Sequence, residues 1–392
     1  MNPSDYTQFQ DPCIKYPSDD HDLAFANYIA ESRTIIQNTR TDLNQYPDAE
    51  KVIDANTPFE LKPEDPVTAP LRYGALLIHG LLDCPFVMRD IANELQSQGL
   101  LVRSILLPGH GTTPAALLNV KYQDWLQATH YGIQSLSKEV DKIFLVGFST
   151  GASLALYHSL QTTYDNIAAL ILLAPAIRIS PFSCITNLPP KLRSFSKRFE
   201  WLHVAAENDY AKYQSMPFNA AYQVYLLTQQ IKRVSDVTFL KHPVFVGITA
   251  DDKTVSSKAT IQYFREHSPK KSRMLVYTNR PNQLQDTRIV KRPASYPEMS
   301  ITNISHVAIP AAPNNPHYGE QGDYVRASHI ETNLQTGKPI IYGTLNNFTN
   351  DIYNTLYRAG ICKHAYARLT FNPDFNFLAQ SIKRFIENII SG

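Results

Sequence analysis

Between residues 73 and 278 the chain alternates between short apolar runs and stretches whose apolar residues recur at helical spacing. The runs at 73–79, 100–107, 142–147, 167–174, 243–249 and 273–278 read as strands, and the stretches at 86–97, 121–138, 150–161 and 256–267 read as helices. Several of the runs are apolar at nearly every position, so both of their faces must be buried. Strands of that kind, alternating with helices, predict an α/β fold in which helices cover a parallel sheet on each side.

The alternation breaks between about 178 and 240, where helix-like stretches carry Phe182, Phe195, Phe199, Trp201, Tyr210, Tyr213, Phe218, Tyr222 and Tyr225. An inserted helical cap is expected over 178–240, with most of these rings filling its own core. The rest divides into an N-terminal extension over 1–66 with one docking helix and a core formed by 67–177 and 241–392. In the extension Asp20 or Asp22 can cap a helix that places Phe25, Ile29, Ile36 and Leu43 on one side. In the core a stretch over about 281–370, rich in Pro, Asn and Tyr, is too long to be a plain connection and reads as an irregular insertion. The last helix is expected to open with Asn372 as cap and Pro373 at its first position, burying Phe375, Leu378, Ile382, Phe385 and Ile389.

Composition removes several classes of function. The chain has 392 residues, 43% of them apolar and 18% charged, which is ordinary globular usage and excludes disorder and low-complexity architectures. A formal net charge of +2 supplies no field for gathering nucleic acid. The most basic stretch, 270–292, sets seven Lys or Arg against Asp286 and reads as a solvated loop face. The longest apolar run, 167–177, contains Pro175 and falls short of the roughly 18 residues that a membrane helix needs. The first 30 residues carry five Asp, one Lys and no apolar h-region, so the expected compartment is the cytoplasm. Cys13, Cys84, Cys184 and Cys362 are scattered without a CxxC pair and read as reduced, mostly buried thiols. No metal-ligand spacing and no phosphate-binding glycine motif is present, so neither a metal nor a cofactor is expected.

The chemistry concentrates at Gly147-Phe148-Ser149-Thr150-Gly151, a G-x-S-x-G motif between the strand at 142–147 and the helix at 150–161. A sharp strand-to-helix turn strains the serine backbone and requires small flanking residues. It lifts Ser149 Oγ above the sheet, at a helix N-terminus whose N–H groups and dipole favour developing negative charge. Upstream, His79-Gly80-Leu81-Leu82-Asp83 follows the first strong strand, and a glycine turn there exposes the Leu81 N–H toward the same place. Leu81 and Thr150 are therefore the candidate backbone donors of an oxyanion hole.

His79-Gly80, then Leu107-Pro108-Gly109-His110-Gly111, then the Ser149 motif together resemble the α/β-hydrolase family, in particular its bacterial carboxylesterase and monoacylglycerol lipase branch. The resemblance covers about 71–280 and the last helix. It implies the α/β-hydrolase fold, a mostly parallel central sheet with helices on both faces and an inserted helical cap. It also implies serine hydrolase chemistry without a cofactor, with the chain order serine, acid, histidine. The family's pattern of an Asp three residues before an apolar position selects Asp252, with Asp251 as the alternative; either could instead simply cap the helix that follows. His306, His317, His329 and His364 are candidates for the histidine. The short apolar segment 303–309 favours His306, with His317 next. Here the sequence departs from the family, whose histidine loop generally runs directly into the last helix, whereas some 60 residues separate His306 from Asn372. His79 and His110 are expected to be structural, and His242 to have a packing role.

The expected reaction is hydrolysis of carboxylic esters with an apolar acyl or alkyl part. The substrate would be a small-molecule or lipid-like ester, with transient membrane-surface contact allowed and no nucleic-acid partner. An aminopeptidase or acyltransferase of the same fold is the alternative, and Glu207 and Asp209 in the cap would suit a free amine. A non-catalytic binding protein on the hydrolase scaffold is a further one.

Overall fold

The computed structural model describes residues 16–20, 22–63, 72–161, 164–178, 200–280, 285–325, 340–344 and 365–391. The described chain opens with helices α1 (Phe25–Thr39) and α2 (Ala49–Asn56) and a short strand β1 (Phe59–Leu61). Then come β2 (Tyr73–Ile78), α3 (Arg89–Gln96), β3 (Leu101–Ile105), α4 (Tyr122–Ser137), β4 (Lys142–Phe148), α5 (Thr150–Leu160) and β5 (Ile167–Leu173). A two-stranded ribbon of β6 (Trp201–His203) and β7 (Met216–Pro217) precedes α6 (Phe218–Ser235). The series continues with β8 (Val244–Thr249), α7 (Ser257–His267), β9 (Arg273–Tyr277) and β10 (Ile289–Arg292). Last come a parallel pair, β11 (Ile340–Gly343) and β12 (Ala365–Arg368), and a final helix over Phe375–Ile390.

Eight strands form one sheet in the order β1-β3-β2-β4-β5-β8-β9-β10. Only β1 runs antiparallel to its neighbour; the other six pairings are parallel. This mostly parallel, helix-covered sheet is the α/β-hydrolase fold. The all-apolar strands follow from its two covered faces. Leu76, Ile78 and Leu145 join Leu154 of α5 and Trp125 of α4 in one core, while Ala75, Leu77 and Val146 join Ile91 of α3 and Leu378 of the final helix in another. Strand order reverses at β2, with β3 on one side and β4 on the other, and the carboxyl ends at such a reversal flank the crevice where ligands bind in open α/β sheets.

Several elements differ from expectation. α6 packs against α5: Ala220, Val224, Leu227 and Ile231 share a core with it, while the rings of Phe218, Tyr222 and Tyr225 are half-buried outside that core. Phe182, Phe195 and Phe199 lie outside the described residues. α1 opens at Phe25 after Ala24, without a side-chain cap; Asp20 instead accepts from the Asp22 N–H, and Leu43 lies in a separate 3-10 turn. Docking sets the register of α1, for the Tyr28 hydroxyl accepts from the N–H of Leu106 and donates to its carbonyl. Within the basic stretch, residues 289–292 form the edge strand β10, and its arginines are paired, Arg288 with Asp286 and Arg292 with Asp374. Cys84 is a buried thiol that donates to the Ala55 carbonyl; the other three cysteines lie outside the described residues.

The regular helix starts at Phe375 after a turn at 373–374, and Asn372 caps that turn as expected, its Oδ1 accepting from the Asp374 N–H at 2.9 Å. The Asn372 N–H donates to the Ala311 carbonyl and its side chain to the Tyr277 hydroxyl. Phe375, Leu378, Ile382 and Phe385 are buried, and Ile389 is half-buried. Thr370 Oγ1 likewise donates to the Tyr318 carbonyl, so residues 370–372 return to the same place that 311–318 leave.

Trp125 of α4 is fully buried and donates its indole N–H to the Pro108 carbonyl at 3.0 Å, bracing the 107–111 turn. Trp125→Ala should therefore destabilise the protein by about 3–5 kcal/mol, read from the midpoint of urea unfolding.

Candidate active site

Ser149 stands at the junction of β4 and α5 with φ 54° and ψ −114°, a left-handed conformation that costs a non-glycine residue about 1–3 kcal/mol. Its backbone is over-determined. The N–H donates to Leu173 O at 2.9 Å, and the carbonyl accepts from Ser153 and Ala176. The two motif glycines permit this crossing of chains. A Cβ on Gly147 would lie 2.4 Å from the Gly151 and Ala152 backbone, and one on Gly151 would lie 2.0 Å from the Ile78 carbonyl oxygen.

One further side chain reaches the serine, and a second reaches it through the first. His306 Nε2 is 2.9 Å from Ser149 Oγ, and His306 Nδ1 is 2.6 Å from Asp252 Oδ2. All three are enclosed, Ser149 being 8% exposed and the side chains of His306 and Asp252 5% and 1%. An ionised carboxylate only accepts, so Nδ1 carries the proton and Nε2 is left to accept from the serine hydroxyl. The second Asp252 oxygen accepts from the N–H groups of Thr254 and Val255 at 2.7 and 3.0 Å. Burial alone would push the Asp252 carboxyl up, but His306 and these two N–H groups outweigh it and hold it below its ordinary range. His306 sits on a segment pinned by Ser305, whose hydroxyl donates to Leu369 O, and its ring packs 5.2 Å from that of Phe148.

The remaining candidates are elsewhere. Asp251 faces Arg280 at 3.0 Å on the surface. His317 is buried against Asp209, with Nε2 2.8 Å from Oδ1. His242 Nδ1 meets Ser159 Oγ, and His329 and His364 lie outside the described residues. Glu207 and Asp209 are both engaged: Glu207 accepts from the N–H groups of Gln214 and Ser215, and Asp209 accepts from His317, the Tyr318 hydroxyl and the Ala211 N–H.

On the other side of the serine lies the turn after β2. The Cβ position of a residue replacing Gly80 would be 3.1 Å from Ser149 Cβ, which brings this backbone directly against the elbow. Among the described residues, neither the Leu81 nor the Thr150 N–H donates to a protein acceptor. His79 and His110 brace the turn: His79 Nε2 accepts from Leu107 N, and His110 Nε2 accepts from Leu82 N at 3.1 Å. Each Nδ1 then carries the proton and faces backbone carbonyls. Burial pulls His79 down to about 4 and His110 to about 3, so both are neutral. Two contacts here have no signal in the sequence: the Asp83 carboxylate pairs with the Lys212 ammonium, and Leu82 O accepts from Tyr213 N. Partners some 130 positions apart share no motif. Among the described residues no group of three or more His, Cys, Asp or Glu is placed to hold a metal ion, and no helix is long and apolar enough to cross a membrane.

The model of the family described as serine aminopeptidase, S33, matches residues 72–280. A thermostable monoacylglycerol lipase from Bacillus sp. (strain H-257) is 30% identical over 106 residues. That match takes in 27% of this chain and 42% of the lipase, so the chain spans less than half the length of that relative. Among solved structures, one described under LipS and LipT, two metagenome-derived lipolytic enzymes, is 21% identical, covers 57% of this chain and 87% of its own, and has a TM-score of 0.49. A monoacylglycerol lipase from Paleococcus ferrophilus is 18% identical, with coverages of 57% and 88% and a TM-score of 0.44.

The two neutral imidazoles set a pH dependence. Unfolded, they titrate near 6.5, so below that pH unfolding takes up protons; the stability they contribute is complete above about 6.5 and is lost as pH falls toward 4 and 3. In urea unfolding near pH 5, His110→Gln should flatten the dependence of stability on pH by about one proton.

Proposed function

The chain belongs to the serine aminopeptidase S33 family of hydrolases, and on that footing we propose that it hydrolyses carboxylic esters through Ser149, His306 and Asp252. The observation that carries this reading is the line of contacts from Asp252 Oδ2 through the His306 ring to Ser149 Oγ, at 2.6 and 2.9 Å. Ser149 Oγ attacks the ester carbonyl while His306 Nε2 takes its proton, and Asp252 stabilises the imidazolium that forms. The negative charge on the carbonyl oxygen falls to the N–H groups of Leu81 and Thr150. His306 then gives its proton to the departing alcohol, and water, activated by the same nitrogen, releases the acid from the acyl-enzyme.

The acyl or alkyl part is apolar in this reading, a lipid-like ester, in keeping with the similarity to a monoacylglycerol lipase. The family's description raises aminopeptidase activity as the second reading. Against it, Glu207 and Asp209, the acids expected to hold a free amine, already accept from neighbouring groups. In the same reading 67–177 and 241–392 make the catalytic core, on which α6 of the 178–240 insertion packs through α5 and the 1–66 extension docks through α1.

A fluorophosphonate probe should label the protein at Ser149, mapped by peptide mass, and Ser149→Ala should lose the label while remaining folded. His306→Ala should lower kcat/KM on p-nitrophenyl esters by about 10⁴-fold or more. Ester turnover that rises with acyl chain length, without turnover of aminoacyl p-nitroanilides, would separate esterase from peptidase. An unlabelled but folded protein, or a near-normal rate in His306→Ala, would overturn the reading.

A further inference from the structure

The turn bearing the Leu81 N–H is held from outside the sheet. Leu82 stands at φ 69°, with its N–H on His110 and its carbonyl accepting from the Tyr213 N–H at 2.8 Å. Tyr213 is itself fixed, because its hydroxyl accepts from Thr112 N at 2.7 Å and its ring stacks on His110. One residue earlier, Lys212 forms an isolated antiparallel bridge with Asp83, and its ammonium pairs with the Asp83 carboxylate. The segment is anchored at its other end by Asp209, which is buried among Ala211, His317 and Tyr318. Residues 209–213 are thus a buried rail against the turn.

The placement of the Asp83 charge gives this rail a chemical consequence. Asp83 Oδ2 lies 2.6 Å from the point a Gly80 Cβ would occupy, and Ser149 Cβ lies 3.1 Å from that same point. A carboxylate whose side chain is 4% exposed therefore stands beside the site where negative charge grows in the transition state. Left bare, it would oppose that charge, and with little water to screen it the repulsion would be strong.

We infer that Lys212 is a positioning residue for the reaction at Ser149: it draws the Asp83 carboxylate away from the Leu81 N–H and cancels its charge, so that the oxyanion develops unopposed. The backbone bonds of Leu82 carry the geometry, and Lys212 carries the electrostatics. This inference rests on Ser149 being the nucleophile.

Its signature is an asymmetry between the two partners. Lys212→Met strands a negative charge at the oxyanion site and should lower kcat on p-nitrophenyl esters by on the order of 10- to 100-fold, with KM within about 3-fold. Affinity for a trifluoromethyl ketone, which forms the tetrahedral adduct, should fall by the same factor, and Lys212→Arg should restore most of the rate. Asp83→Asn removes the charge but keeps the shape, leaving a lysine that can reach water, and should lose no more than about 5-fold. The double variant Asp83→Asn/Lys212→Met should recover most of what Lys212→Met loses. Should Lys212→Met fail to fold, the double variant carries the test alone, with kcat expected within about 10-fold of the parent. Equal losses in both single variants with no recovery in the double variant, or an unaffected Lys212→Met, would overturn the inference. A parent protein that does not label at Ser149 would instead overturn the reading of the site, and the inference with it.

Discussion

The contact on which the site depends is the crossing of β2, β4 and α5 at Ser149. Three backbones meet there so closely that neither motif glycine can be replaced: a single added carbon would come to 2.4 Å or less of a neighbouring main chain. That proximity bends the serine into a left-handed conformation, sets it at the first turn of α5, and aligns it with the turn that follows β2. The strain is local and the restraint is distributed, since hydrogen bonds from β5 and from the segment after it hold the serine backbone on both sides. The buried histidines, the rail of residues 209–213 and the His306 segment all close around a geometry that the sheet has already imposed.

Much of this was legible in the residues. The apolar runs announced a sheet buried on both faces because alternate side chains had to satisfy two separate cores, and Leu76 and Leu77 show that division within a single strand. The elbow was legible because a strand, a serine between glycines and a helix leave few other conformations. Asp252 and His306 were singled out by the order and local pattern of the family they resemble, and they lie within hydrogen-bond reach of each other.

Other features carried no such signal. Helical periodicity shows that α6 has an apolar face but not what that face covers, which is α5. β1 is three residues long and β10 four, too short to express alternation, and the basic character of β10 suited an edge strand as well as a loop. The capping role of Asn372 could be read locally, but not its further bonds to Ala311 and Tyr277, partners that no local rule contains. The pairing of Asp83 with Lys212 lies beyond local reading for the same reason: electrostatic compensation across the fold leaves no periodicity behind.

Where the segment after His306 leaves the core, and where the chain returns to it, the two backbones are hydrogen-bonded to each other, at Ala311 with Asn372 and at Tyr318 with Thr370. Between these junctions β11 comes back to the same region, where the Tyr342 backbone exchanges hydrogen bonds with Ser300 and Thr302, just before His306. The loop that carries His306 is thus held on both flanks by backbone far along the chain, at Tyr342 before it and at Asn372 and Thr370 after it, so the His306–Ser149 distance is fixed by chain segments that share no local sequence with the histidine.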